Sequence, residues 1–317
     1  MASHILGKID LARFQFIEKQ RGNNDSPASK TEVENYGKND CKLEDEINFL
    51  NAIPKQREEY DEFGQGYWKN LSLYNASGVA EDSQYRDAQT CVPTEYMNNC
   101  PTIQRLINEV FNSKYLRMVR ARNLIDGMVM PHRDFVELET NVRYYRVFIA
   151  IEKNLESFHS DESGVFQMQP GEVWFLDAAI DHAAINFSTN SRMFLCFDFV
   201  LEHGIDERVI FNQNADIDFE AQPTYISREP MNEITKERII ANVSGLMNKY
   251  TFRDLVFTLS KFHFTHKLTV REAYDWLIEA AKRTNDDDLV IKSQQMKRYL
   301  IEHREINERF TINSWAA

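Results

Sequence analysis

Between Leu116 and Val200 the apolar residues come in short runs separated by turn residues: Leu116–Val119, Met128–Met130, Arg146–Ile151, Val165–Met168, Val173–Leu176, Ala183–Phe187 and Met193–Val200. Runs of this length and spacing predict the strands of a sandwich or barrel, because parallel βαβ units would need about a dozen residues of crossover between them. Turn chemistry agrees. Gln169-Pro170-Gly171-Glu172 can set Pro second and Gly third in a type II turn, and Ser188-Thr189-Asn190-Ser191 forms another connection. Before this region, Thr102–Phe111 places Ile103, Leu106, Ile107 and Val110 on one stripe of an amphipathic helix. After Asn232 the period is again helical. Ile234–Asn248 and Phe252–Phe262 carry apolar residues three and four apart, and Val290–Phe310 is a charged amphipathic segment. Thr269-Val270-Arg271-Glu272 has the form of a capping box ahead of Tyr274, Trp276, Leu277 and Ala280.

The amino-terminal 1–20 alternate loosely and suit an edge strand and a short helix. Residues 21–45 shift to Asn, Asp, Ser, Lys and Glu and read as a loop or mobile insertion. A second polar stretch, Gly64–Gln89, contains Tyr67, Trp68 and Tyr74 and so has enough aromatic surface to pack against a neighbour. The pattern implies a β-dominated α+β protein: a core over 1–228, carrying a polar insertion at 21–50, and a helical carboxy-terminal subdomain over 229–317.

Composition narrows the function. With 49 acidic against 37 basic residues the 317-residue chain carries a net charge of −12, which argues against nucleic acid or an anionic membrane as partner. No apolar stretch approaches the roughly 18 to 20 residues of a membrane helix, and the start lacks the apolar core of a secretory signal, so the expected location is cytoplasmic. The four cysteines, Cys41, Cys91, Cys100 and Cys196, fit no zinc or CxxC spacing and read as free thiols.

The strand region holds Pro131-His132-Arg133-Asp134, then Asp181-His182, then Ser191-Arg192. On a strand, His132 and Asp134 project to the same face and can share one ligand. Two imidazoles and a carboxylate match the facial triad of a non-haem Fe(II) site, although the same three could hold zinc. A His-x-Asp pair alone is common in proteins without a metal. Here it is followed by a second His at a strand start, after the aromatic run Trp174-Phe175-Leu176-Asp177, and by Arg192 at the head of Met193–Phe199. A cation there is costly to bury without an anionic partner. A dicarboxylate co-substrate supplies one, since 2-oxoglutarate chelates iron through its 2-oxo acid end and its distal carboxylate can pair bidentately with a guanidinium. His159 lies near the strands and is a candidate to stand behind the site. His4, His203, His263, His266 and His303 read as surface or packing residues.

At these residues the chain resembles the free L-proline hydroxylases, Fe(II)/2-oxoglutarate dioxygenases related to the aspartyl/asparaginyl β-hydroxylases, and most of all the cis-3 enzymes. The resemblance runs through Ser3-His-Ile-Leu-Gly-Lys-Ile, Glu58-Glu-Tyr-Asp-Glu-Phe, Gly66-Tyr-Trp-Lys-Asn, Leu73-Tyr-Asn-Ala-Ser-Gly, Pro131-His-Arg-Asp-Phe-Val-Glu-Leu, Gly171-Glu-Val-Trp-Phe-Leu-Asp-Ala, Asn186-Phe-Ser and Phe252-Arg-Asp. It covers nearly the whole chain apart from about 21–50.

The resemblance implies a double-stranded β-helix (jelly-roll, cupin-like) core with a helical carboxy-terminal part, and Fe(II), 2-oxoglutarate and O2 as cofactor and co-substrates. Carried over by position, His132, Asp134 and His182 are the iron ligands and Arg192 grips the distal carboxylate, with Trp174 grouped beside the co-substrate. Arg122 and Arg146, with Arg120 nearby, fall at substrate-carboxylate positions, and Trp68 and Phe135 would wall a pyrrolidine ring. Phe194 departs from the pattern, standing where related enzymes often place a polar residue. The implied activity is hydroxylation of free L-proline, cis-3 favoured. Alternatives are 4-hydroxylation of proline (cis or trans), action on a related cyclic amino acid, a peptide or protein side-chain hydroxylase, and a catalytically silent cupin-like or zinc protein. A homodimer is compatible with this reading.

Overall fold

The computed structural model describes residues 2–14, 42–56, 59–86, 88–134, 142–305 and 308–315. Cys41, Phe135 and 21–41 of the polar insertion lie outside the described residues. In chain order the elements are β1 (His4–Lys8), α1 (Leu43–Ala52), β2 (Gly64–Asn75), β3 (Val92–Pro93), α2 (Pro101–Val110), β4 (Leu116–His132), β5 (Val142–Ala150), β6 (Ser157–Asp161), β7 (Gly164–Gln167), β8 (Glu172–Leu176), β9 (His182–Asn186), β10 (Met193–Glu202), β11 (Thr224–Tyr225), α3 (Glu233–Leu246), α4 (Phe252–Thr265), α5 (Glu272–Lys282) and α6 (Asp287–Lys297). A π-helical turn, Arg298–Glu302, follows α6.

The strands form one curled antiparallel sheet with the order β1-β8-β5-β10-β4-β9-β6-β7-β11, and β2 joins along β4. Its continuity comes from β4. The first part of that strand pairs with β10 (Asn123↔Met193 through Leu116↔Phe199), and its last part pairs with β9 (Gly127↔Asn186, His132↔His182). One strand thus belongs to both layers, β8-β5-β10-β4 on one side and β4-β9-β6-β7 on the other, which is the double-stranded β-helix. The change of layer occurs at Asp126, whose φ is +43°, and Gly127, where a Cβ would stand 1.9 Å from the Gln65 carbonyl of β2. The strands cross too closely there for any other residue.

Period-two alternation then sorts the side chains of the first layer. Val119, Ala121, Leu195, Phe197, Val147, Ile149, Val173 and Phe175 face the core that α1 and α2 cover. The opposite faces bear Arg120, Arg122, Arg146, Phe148, Phe194 and Asp198 and look into the roll. Phe148, Trp174 and Phe166 meet there in a smaller apolar cluster. The carboxy-terminal helices make a third cluster, with Trp276, Tyr274 and Phe257, against Met128, Met130, Ala183 and Ile185 of β4 and β9.

Several expectations need correction. Gly64–Asn75 is a twelve-residue strand and not a polar stretch, because its polar positions Asn70 and Ser72 point inward and are buried. The runs at 116–119 and 128–130 belong to one strand, whose arginines between them face the cavity. The end of the 21–50 insertion is α1, held by buried Leu43, Ile47 and Leu50, with Glu46 capping the start of α2 through the Thr102 and Ile103 amides at 2.6 and 2.8 Å. The helix expected over Val290–Phe310 stops at Lys297 and its π turn. The type II turn is present: Gly171 has φ +81° and the Glu172 amide donates to the Gln169 carbonyl at 3.0 Å.

Candidate metal centre and its cavity

The inner faces of β2, β4, β5, β9 and β10 enclose a cavity of about 1000 Å³ lined by His132, Asp134, His182, Arg192, Arg122 and His159 among others. His132 ends β4, His182 opens β9, and the two are register partners with ring centroids 4.2 Å apart. Asp134 lies two residues past the end of β4, outside the strand on which it was expected. A hydrogen bond from its amide to the Ala178 carbonyl (2.8 Å) holds the chain there, with Asp134 Oδ1 3.5 Å from His132 Nε2. One ligand atom from each of the three lies within 4.8 Å of the others.

Both imidazoles are oriented the same way. His132 Nδ1 is 2.9 Å from the Met130 carbonyl and His182 Nδ1 is 2.9 Å from the Ile180 carbonyl. A carbonyl only accepts, so each Nδ1 carries the proton and each Nε2 presents a lone pair to the cavity. Burial, with His132 alongside, pushes His182 down to about 4, so it stays neutral and ready to ligate. Burial opposes ionisation of Asp134, but the Arg146 guanidinium outweighs it and holds the carboxyl well below its usual range. Two imidazoles and an anionic carboxylate, convergent at the mouth of the cavity, fit a divalent first-row metal with open positions facing it.

The four inner-face arginines divide into two pairs. Asp198, fully buried, accepts from Arg146 Nε at 2.9 Å and from Arg120 Nη2, and Arg146 Nη1 reaches Asp134 Oδ2. Arg120 and Arg146 are thereby matched to carboxylates. Arg122 and Arg192 meet no carboxylate among the described residues. Arg122 sits 5.7 Å from the Trp68 ring and 5.6 Å from the Phe148 ring, and Arg192 lies 4.4 Å over Phe194. Arg192 Nη2 donates to His159, 2.7 Å from Nε2. Burial and then Arg122 push Arg192 down to about 9, while burial and Arg192 drive His159 well below its usual value and keep it a neutral acceptor. Among the described residues the cavity therefore holds two guanidiniums in want of anions, Arg192 buried and Arg122 half-buried.

Known proteins resemble this chain over its whole length. Residues 39–201 match the family described as aspartyl/asparaginyl beta-hydroxylase, and 206–308 match L-proline 3-hydroxylase, C-terminal. L-proline cis-3-hydroxylase 2 of Streptomyces sp is 38% identical over 318 residues, 99% of this chain and 100% of that protein. The chain belongs to the L-proline 3-hydroxylase family. L-proline cis-3-hydroxylase 1 of Streptomyces sp is 36% identical over the same shares, and L-proline cis-4-hydroxylase of Rhizobium meliloti is 28% identical over 86% of this chain and 95% of its own.

Against this family, the structure brings His132, Asp134, His182, Arg192, Arg120, Arg122, Arg146 and Trp68 to one cavity. Trp174 is a correction. It is fully buried, stacked on Phe166 at 4.5 Å, and its indole N–H is used by Glu172 Oε2 at 2.9 Å, so it packs the roll and does not line the cavity. Phe135 lies outside the described residues. Asn70, Tyr144, Phe148 and Asp198 were missed. Asp198 was visible as the one acid inside an apolar run, but its partners lie across two strand registers that the sequence does not display.

Proposed function

We propose that this protein is a cytoplasmic Fe(II)/2-oxoglutarate-dependent dioxygenase that hydroxylates free L-proline, at C3 and on the cis face. The observation that carries the reading is the His132–Asp134–His182 cluster opening onto a cavity with two guanidiniums, Arg122 and Arg192, that meet no carboxylate among the described residues. Full-length likeness to two cis-3-hydroxylases supports the substrate and the position. The likeness to a cis-4-hydroxylase makes attack at C4 the second reading. Among the described residues Cys91, Cys100 and Cys196 are free thiols and no helix is long and apolar enough to cross a membrane, which suits a reducing compartment.

In this mechanism His132, Asp134 and His182 would hold Fe(II). When bound, the iron couples O2 reduction and decarboxylation of 2-oxoglutarate to succinate and CO2 with insertion of one oxygen atom into a substrate C–H bond. Arg192 binds the distal carboxylate of 2-oxoglutarate, and neutral His159 behind it fixes the guanidinium without neutralising it. Arg122 takes the carboxylate of the amino acid, since Arg120 and Arg146 are already matched. Phe148 and Phe194 line the space between them with apolar surface and limit water. Holding the ring in one pose selects the carbon attacked, because a shift of about 1 Å brings a different C–H forward.

The test is to incubate anaerobically purified protein with Fe(II), 2-oxoglutarate, O2 and a panel of free amino acids and prolyl peptides, resolving products by mass spectrometry and NMR. The expected product is cis-3-hydroxyproline with stoichiometric succinate. Succinate no higher than the substrate-free background with every amino acid would overturn the reading, and 4-hydroxyproline would overturn only the position.

A further inference from the structure

On the β2 side of the cavity wall, two polar atoms have no partner among the described residues. Asn70 is 7% exposed and its Oδ1 is wholly covered without a donor, while Trp68 Nε1 is likewise covered without an acceptor. Both residues line the cavity on the same face of β2, two positions apart. Asn70 is the register partner of Arg122 across the β2–β4 ladder. Directly opposed residues of an antiparallel pair hold their Cβ atoms about 4.5 to 5.5 Å apart, so the Asn70 and Arg122 side chains leave the ladder next to each other. The wall thus offers an indole N–H donor, a guanidinium donor and a carbonyl acceptor side by side.

That set is complementary to an α-amino acid, whose carboxylate accepts and whose ammonium, one carbon away, donates. We propose that Asn70 is a specificity-determining residue whose Oδ1 accepts a hydrogen bond from the ring ammonium of the substrate, with Arg122 and Trp68 on the carboxylate. The inference rests on the reading of the substrate as a free cyclic amino acid. A neutral acceptor suits the position, because the ammonium sits beside the arginine-bound carboxylate of its own molecule. The same contact excludes peptide-bonded proline, whose nitrogen carries no hydrogen. A buried polar group built to bond a substrate N–H rejects an analogue that lacks it far more strongly than an apolar wall can, because the group is then left unpaired.

The experiment compares L-proline with tetrahydrofuran-2-carboxylate, the same ring with oxygen in place of N–H, in the native protein and in Asn70→Leu and Asn70→Asp. Folding is read from stabilisation by Mn(II) plus 2-oxoglutarate. The native protein is expected to favour proline by 100-fold or more in kcat/KM. Asn70→Leu should raise KM for proline at least tenfold, leave KM for 2-oxoglutarate unchanged and erase most of the preference, whereas Asn70→Asp, which keeps an acceptor, should retain it. Proline turnover with an unchanged preference in Asn70→Leu would overturn the assignment. If Asn70→Leu does not fold, loss of the preference in Asn70→Asp overturns it and retention upholds it. Failure of the native protein to turn over proline at all would strike the proposed function instead.

Discussion

Arg192 shows how one residue can be unfavourable for the fold and useful to the site. It is 4% exposed, its Nε has no acceptor among the described residues, and the neutral ring of His159 is its partner in place of a carboxylate. Replacing an uncompensated buried charge by an apolar side chain of similar length removes a cost of folding. Arg192→Met is therefore expected to melt about 2–4 °C higher than the native protein without ligand, on the scale of roughly 1 kcal/mol. The same change should weaken 2-oxoglutarate binding about 10- to 100-fold, the worth of a hydrogen-bonded charge at roughly 1.5–3 kcal/mol. Calorimetric titration with Mn(II) in place of iron and a thermal melt check both, and an unchanged affinity would remove Arg192 from the co-substrate site. Arg192 was legible in the sequence because a charge at the head of an apolar run needs no register to be noticed. Asn70 was not, since only the pairing of β2 with β4 shows which of its faces is buried.

At the scale of elements, the metal-ligating end of β4 is held by helices far along the chain. Tyr274 of α5 donates through its hydroxyl to the Pro131 carbonyl, and the Arg133 amide donates to the Leu300 carbonyl in the π turn at 2.8 Å. Asp181, beside His182, accepts from Arg133 and from Arg271 at the head of α5, the latter at 2.7 Å. The two segments that carry the ligands are thus tied to each other and to α5. The periodicity of α5 made the helix itself legible, but a helical stripe says only that the face is buried and not which strand it meets. Tyr274→Phe keeps the ring and its packing and leaves the Pro131 carbonyl unpaired. Its expected cost is about 1–3 kcal/mol of stability, measured by denaturant unfolding, together with a several-fold loss of Co(II) affinity measured by absorbance titration. A variant that lost stability yet bound the metal as tightly as before would show that α5 supports the fold without setting the ligands.

Across the whole molecule, the net charge of −12 describes a surface, and the inner face of the sheet is its cationic exception. This separation divides the response to acid into two windows. Three histidines are kept neutral inside. Burial pushes His182 and His263 down to about 4, and burial with Arg192 alongside holds His159 well below its usual value. In the unfolded chain these side chains take up protons near pH 6.5. Between about pH 6.5 and 4 the unfolded state therefore binds more protons than the folded one, and the stability of the metal-free protein falls as pH falls. Near pH 5 three such groups give a slope of up to about 4 kcal/mol per pH unit. Asp134 and Asp198 work in the opposite sense and lower down: held below the usual carboxylate range, they stabilise above about pH 4 and lose that contribution only beneath it. Denaturant unfolding of the metal-free protein at pH 7.5, 6 and 5 should show a moderate fall over the first interval, about 2 kcal/mol, and a fall about twice as steep per pH unit over the second. His263→Leu, away from the cavity at the end of α4, should remove about a third of that slope while leaving metal binding in place. A stability that does not change between pH 6 and 5 would mean that the interior histidines are protonated in the folded protein, and with them the neutral ligand and the neutral partner of Arg192 would be lost from the mechanism.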